Sequence, residues 1–217
     1  MSTNPAEQLA LWADQLRAMS THALRFVDNP YDEERYQQIM EIALAMTALV
    51  SGESLEDLEP IRGTVLSHTT PFAVGDAAII DGQGRMLLIR RADNGLWAMP
   101  GGVLEVGETA AEGVTREALE ETGITCEAVA LVGIHDSRFC GTKSRHHLYH
   151  ITFLCRPLDK PLLAQASHAH EVMETEWFTE TDLPDALDPG HIPRIPIAFQ
   201  VWRGERQPFF DNEITKE

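Results

Sequence analysis

The apolar residues Leu9, Trp12, Leu16, Met19, Ala23 and Phe26 succeed one another in steps of three and four, which puts them on one stripe of a helix from Pro5 to Val27. The stripe is a narrow seam that repeats about every 3.5 residues, the period of one helix packed against another. Asp28-Asn29-Pro30 breaks it, because proline disfavours helix in the residue before it and Asn and Asp suit turns. A second helix is predicted over Asp32 to Val50, with Tyr36, Ile39, Met40, Ala43, Leu44 and Val50 as its apolar positions and Ser51-Gly52 as its stop. Ser54 to Asp57 reads as a capping box opening a short third helix before Pro60. Residues 1–66 are therefore expected to form a helical module and residues 67–217 a second domain.

After Thr69-Thr70-Pro71 the texture changes. Two short apolar runs, Phe72 to Ile80 and Met86 to Arg90, flank Asp81-Gly82-Gln83-Gly84, a hairpin pattern. A loop through Asn94-Gly95 and Pro100-Gly101-Gly102 leads to a helix from Ala110 to Thr122, capped by Thr109 with Glu112 three residues on and ended by Gly123. Strand-like runs follow at Ala128 to Ile134, Leu148 to Leu154 and Thr175 to Phe178. Strands on both sides of one helix predict an α/β fold, a mixed sheet with helices on its faces.

Charge changes what such a fold can bind. The 217-residue chain has 34 acidic against 17 basic residues, a net charge of −17 that opposes any sequence-independent grip on duplex nucleic acid. An acidic protein that handles phosphates needs a local device against repulsion, and a bound divalent cation supplies one. Cys126, Cys140 and Cys155 are too widely spaced for a disulfide framework or a Cys-x-x-Cys zinc pair, so reduced thiols in a cytoplasm are expected. Met1 to Leu11 has no leader pattern, and no apolar run reaches the roughly 18 residues of a membrane span.

The chemistry concentrates on the helix that follows Thr109. Glu117, Glu120 and Glu121 lie three and four apart and project from one face, while Ala111, Val114, Ala118 and Thr122 form a small-residue face able to sit close to a sheet. Clustered carboxylates repel one another, and protonation or a cation relieves the repulsion. A hard divalent ion is the natural partner, Mg²⁺ before Zn²⁺, because no His or Cys shares that helix face. The alternative is a solvated face in which Glu112 and Arg116 form an i,i+4 pair.

The run from Gly102 to Ile124 resembles the Nudix box: Gly, five residues, Glu108, seven residues, Arg116-Glu117, an aliphatic position, any residue, Glu120-Glu121, any residue, Gly123 and an aliphatic. Ala118 is a small occupant of the aliphatic position, which bears on packing and not on ligands. Leu96-Trp97 upstream and Glu174 to Phe178 downstream extend the resemblance. It implies an α/β/α sandwich around a mixed sheet, with Glu117, Glu120 and Glu121 coordinating Mg²⁺ or Mn²⁺, the Gly101 carbonyl as a further ligand, Arg116 orienting a neighbouring carboxylate and Glu108 stabilising the loop. The N-terminal module, with Leu11-Trp12-Ala13 and Tyr31 to Tyr36, is similar to the helical extension of a Nudix subgroup acting on nucleoside diphosphates linked to another moiety, such as ADP-ribose or CDP-choline. Sanitation of oxidised nucleoside triphosphates and a non-catalytic nucleotide sensor are the alternatives.

Outside the box, Glu171 and Glu174 are candidate general bases for the water that must lose its proton. Arg90 and Arg91, Glu105 of the box loop, and Arg138 and Arg145 of a basic stretch that includes Lys143 are candidate substrate contacts. His168 and His170 have metal-compatible spacing but read as surface residues, and Trp97 reads as core. A small-molecule nucleotide is the expected partner. The N-terminal seam must bury itself somewhere, and a homodimer through those helices is the expected solution.

Overall fold

The computed structural model describes residues 5–61, 71–143, 147–158 and 168–212. By its internal contacts the chain divides into two compact units, residues 1–70 with 105–107 and the remainder.

In the first unit α1 (Pro5–Leu24), α2 (Pro30–Ser51) and α3 (Leu55–Ile61) follow the predicted order. Asn29 caps α2, its side chain accepting from Asp32 N at 2.9 Å, and Pro30 occupies the first turn, where no amide bond is lost. Ala13 and Ser20 of α1, Met40, Ala43, Leu44 and Ala48 of α2, and Leu58 of α3 are buried. The seam is split: Trp12, Met19 and Phe26 remain 53%, 59% and 53% exposed. Boundaries differ from expectation at three places: α1 ends at Leu24 short of Val27, α2 begins at Pro30 ahead of Asp32, and α3 runs through Pro60 and does not stop ahead of it. The ring forfeits an amide bond only in the closing turn of a seven-residue helix.

Among the described residues the second unit holds eight strands: β1 (Phe72–Ile79), β2 (Arg85–Arg91), β3 (Trp97–Ala98), β4 (Gly101–Val103), β5 (Cys126–Asp136), β6 (Leu148–Pro157), β7 (Val172–Thr179) and β8 (Phe209–Phe210). Two helices join them, α4 (Ala110–Thr122) and α5 (Arg194–Trp202). The five-stranded sheet is ordered β4-β1-β6-β5-β8, with β1 parallel to β6 and antiparallel to β4. A three-stranded antiparallel sheet is ordered β3-β2-β7. The expected hairpin of β1 and β2 is corrected here: the turn forms, with Asp81 N bonded to Arg85 O at 2.9 Å and one bridge at Ile80 and Met86, but the arms then part into different sheets. The arms are buried next to the turn, over Gly75–Ile79 in β1 and Met86–Ile89 in β2, the pattern of strands covered on both faces.

Alternation along the strands divides the core in two. Ala77 and Ile79 of β1 and Cys155 of β6 pack with Val114 and Ala118 of α4, whereas Ala78, Ile80 and Leu154 pack with Ile195, Ala198 and Phe199 of α5. Helices thus cover opposite faces of the central mixed sheet, an α/β/α sandwich. The approach of α4 is close, because a Cβ on Gly75 of β1 would lie 2.6 Å from Val114 Cγ1. Trp97 belongs to the α5-side core, edge-on to Phe178 at 5.0 Å. Among the described residues no helix is long and apolar enough to cross a membrane.

Candidate active site

Local sequence fixes α4 at both ends. Thr109 accepts from Glu112 N and Glu112 returns a bond to Thr109 N at 2.8 Å, a closed capping box, while Gly123 takes the left-handed turn that ends the helix. Glu112 is therefore engaged at the cap, and the Glu112–Arg116 pair of the alternative reading does not form. Arg116 instead binds Glu108 through two parallel bonds (Nε to Oε2 3.0 Å, Nη2 to Oε1 2.9 Å). Its Nη1 reaches Glu117 Oε1 at 2.9 Å and Glu120 Oε2 at 3.0 Å. One guanidinium spans the loop and two of the three clustered acids.

The third acid points inward. Glu121 is only 9% exposed, its Oε2 accepting the Gly101 amide at 2.9 Å, so that β4 is pinned to the helix at its carboxylate. Burial pushes Glu121 up to about 8 despite that amide, and the charges of Glu117 and Glu171 add to the shift. Burial also raises Glu117, outweighing its bond to Arg116. A Cβ on Gly102 would lie 2.5 Å from Glu117 Oε1, so a side chain there would displace that carboxylate. A carboxylate that the fold would keep protonated at neutral pH, beside two more, is a donor set suited to a hard divalent cation. Glu117, Glu120, Glu121 and Gly101 are the residues that could hold one.

The other sequence-predicted residues are distributed unevenly. Glu171 sits in a 3₁₀ turn (Ala169–Glu171) within electrostatic reach of Glu121. Glu174 pairs with Arg90 at 3.4 Å across β2 and β7. Arg91 is gripped by Asp93 (3.0 and 2.8 Å), and Arg138 by Asp136 (Nη2 to Oδ2 2.6 Å), so each has an internal partner that a substrate phosphate would have to replace. Glu105 is exposed, as is Lys143. Arg145 lies outside the described residues.

Two groups carried little or no weight in the sequence. His168 Nδ1 stands 3.5 Å from Glu120 Oε2, although nothing in its spacing predicts contact with a helix more than forty residues away. Beneath the Met99-to-Gly101 segment, Asp76 of β1 is enclosed by Arg194, by His150 Nδ1 at 3.2 Å and by His191 Nε2 at 4.0 Å. His191 Nδ1 accepts the Met99 amide at 3.2 Å, and Arg194 Nε donates to Gly190 O at 2.7 Å. Burial raises Asp76 but the Arg194 guanidinium and both imidazoles more than offset it, holding the carboxyl well below its usual range. Burial keeps His191 neutral, which suits its role as acceptor. A charged residue inside an otherwise apolar strand was the available signal for this cluster.

A mixed-sheet sandwich carrying an acid-faced helix behind a glycine turn defines a Nudix domain, and the chain belongs to the Nudix family of hydrolases, matching the family profile over residues 70–197. Residues 7–61 match a second profile, described as a UDP-X-like N-terminal oligomerisation domain. The chain is 30% identical over 202 residues to a Bacillus subtilis (strain 168) protein, YjhB, provisionally named an ADP-ribose pyrophosphatase, covering 92% of this chain and 95% of that one. It is 35% identical over 115 residues to an ADP-ribose pyrophosphatase of Methanocaldococcus jannaschii, covering 52% of this chain and 64% of that one. The crystal structure of a UDP-X diphosphatase shares the fold with a TM-score of 0.59 at 24% identity, over 95% of this chain and 99% of that chain.

Proposed function

We propose that the protein is a divalent-metal-dependent pyrophosphohydrolase that cleaves a nucleoside diphosphate linked to another moiety, releasing a nucleoside monophosphate and the phosphorylated second group. The observation that carries this is the acid face of α4, where a buried Glu121 pushed up to about 8 adjoins Glu117 and Glu120. Glu117, Glu120, Glu121 and the Gly101 carbonyl would hold Mg²⁺ or Mn²⁺. Bound there, the cation supplies positive charge against the pyrophosphate oxygens and lowers the pKa of water. Arg116 holds two of the carboxylates in place, and Glu171, exposed and in reach of the cluster, receives the proton from the attacking water. The linked-diphosphate substrate class is supported by the N-terminal match and by relatives named for ADP-ribose and UDP-X.

The helical unit supports a second assignment, a homodimer. Trp12 and Met19 of α1 stand exposed seven residues apart, the repeat of helix against helix, in a region matched by a profile named for oligomerisation. We place the enzyme in a reducing cytoplasm, in keeping with three buried free thiols.

Measuring kcat/KM for ADP-ribose, CDP-choline, a UDP-sugar and an oxidised dGTP, with Mg²⁺ or Mn²⁺, tests the substrate class. A linked diphosphate should exceed the triphosphate by about tenfold or more, the range in which pocket contacts discriminate. Clear preference for the oxidised triphosphate overturns the substrate assignment, and tight binding with no turnover of any compound overturns the enzymatic one.

A further inference from the structure

We propose that His168 donates an imidazole nitrogen to the divalent cation held by Glu117 and Glu120, giving this site a mixed nitrogen and oxygen donor set. The inference rests on the carboxylate reading above and extends it to a residue outside the box. One ligand-capable atom from each of Glu117, Glu120 and His168 lies within 4.8 Å of the others. Donors that share an ion at about 2.0–2.2 Å stand up to roughly 4 Å apart, so small side-chain rotations close the set.

The placement of His168 does not depend on the reach of a loose side chain. Its backbone amide donates to the Glu120 carbonyl at 3.0 Å, which staples residue 168 to the last turn of α4. Its Nδ1 then stands 3.5 Å from Glu120 Oε2. The ring is 43% exposed, so it sheds little packing in turning toward an ion. Its neighbour His170 is 73% exposed and sits beside Glu171 at 3.5 Å, which makes it an internal control of the same residue type. The expectation that no His shares the acid face holds for α4 itself but not for the folded site.

An imidazole alters which metal the site prefers. Mg²⁺ takes oxygen ligands and keeps its waters, whereas transition ions gain from nitrogen, increasingly so along the series from Mn²⁺ to Co²⁺ and Zn²⁺. His168 thus biases the site toward Mn²⁺ over Mg²⁺ without changing the carboxylates.

Mn²⁺ bound to the full-length protein, followed by electron paramagnetic resonance, gives a readout independent of turnover. Electron spin echo envelope modulation of the wild type should show ¹⁴N coupling from one imidazole, lost in His168→Ala and in His168→Gln but kept in His170→Ala. Mn²⁺ affinity should fall about tenfold in both His168 variants, at the low end of the range for altered metal surroundings, while Mg²⁺ affinity, read by competition, changes less than about twofold. Mn²⁺ that binds the wild type with no ¹⁴N coupling, or coupling that survives in His168→Ala, overturns the role of His168 and leaves the glutamate site standing. Failure of the wild type to bind Mn²⁺ at all, matched by Glu120→Gln, overturns both.

Discussion

Helices α1 and α4 are both two-faced, and each breaks the usual sorting of residues in the opposite sense. α1 leaves Trp12 and Met19 half-exposed, with Phe26 exposed in the turn that follows it, whereas α4 takes Glu121 into the interior. Exposed apolar side chains spaced by sevens are stabilised by another helix, and a buried carboxylate by a cation or a proton. Under the function proposed above, these two departures from ordinary burial are where a partner helix and a cation would act.

The largest effect is expected at α1. Replacing Trp12 and Met19 with serine removes four apolar side chains from a twofold interface, roughly 6 kcal/mol at the low end of the value per buried side chain. Light scattering at tens of micromolar should show a dimeric wild type and a monomeric double variant with an unaltered circular dichroism spectrum. A monomeric wild type would break the comparison at its first term.

At α4 the sign of the stability effect should reverse. Glu121→Gln replaces a carboxyl that burial forces to take up a proton at neutral pH with an amide that is always neutral, and keeps a side-chain oxygen for the Gly101 amide, so the metal-free variant should melt higher than the metal-free wild type. Its kcat should nevertheless fall by about 10²-fold or more, the scale of a lost electrostatic element. Loss of stability together with activity would show that Glu121 is a packing residue.

A third, smaller effect separates burial from function. His135 is buried, stacked on Phe209 at 4.7 Å, and burial lowers it to about 4. Its ordinary value is about 6.5, so the unfolded chain takes up a proton that the fold refuses between those two pH values. The stability contributed by neutral His135 is complete above pH 6.5, falls progressively below it and is fully lost once pH has dropped through about 4, a total of about 3 kcal/mol. Urea midpoints for His135→Gln should decline less between pH 7 and pH 5 than those of the wild type. An identical decline would assign the acid sensitivity to other groups, such as His191.

The legibility of these regions differed for physical reasons. α4 was readable to the residue because Thr109, Glu112 and Gly123 set its ends by bonds between near neighbours. α5 was missed: no side chain caps it, Pro193 precedes it and Pro196 lies within it, so its helicity comes from packing Ile195, Ala198 and Phe199 on the sheet. β3 and β4, of two and three residues, are shorter than any periodicity can register. In the site, Glu117, Glu120 and Glu121 were visible by helical spacing, whereas His168 and the Asp76–Arg194 cluster are assembled by contacts between distant segments.

The close approach of α4 to the sheet has a genetic consequence. A screen for inactive alleles should recover Gly75→Ala and Gly102→Ala beside the glutamate substitutions, because the added carbon would meet Val114 Cγ1 at 2.6 Å in one case and Glu117 Oε1 at 2.5 Å in the other. Such alleles would retain every acid of the box and an unchanged net charge. A survey of natural variants that scored only the acidic residues would count their carriers as having a working enzyme.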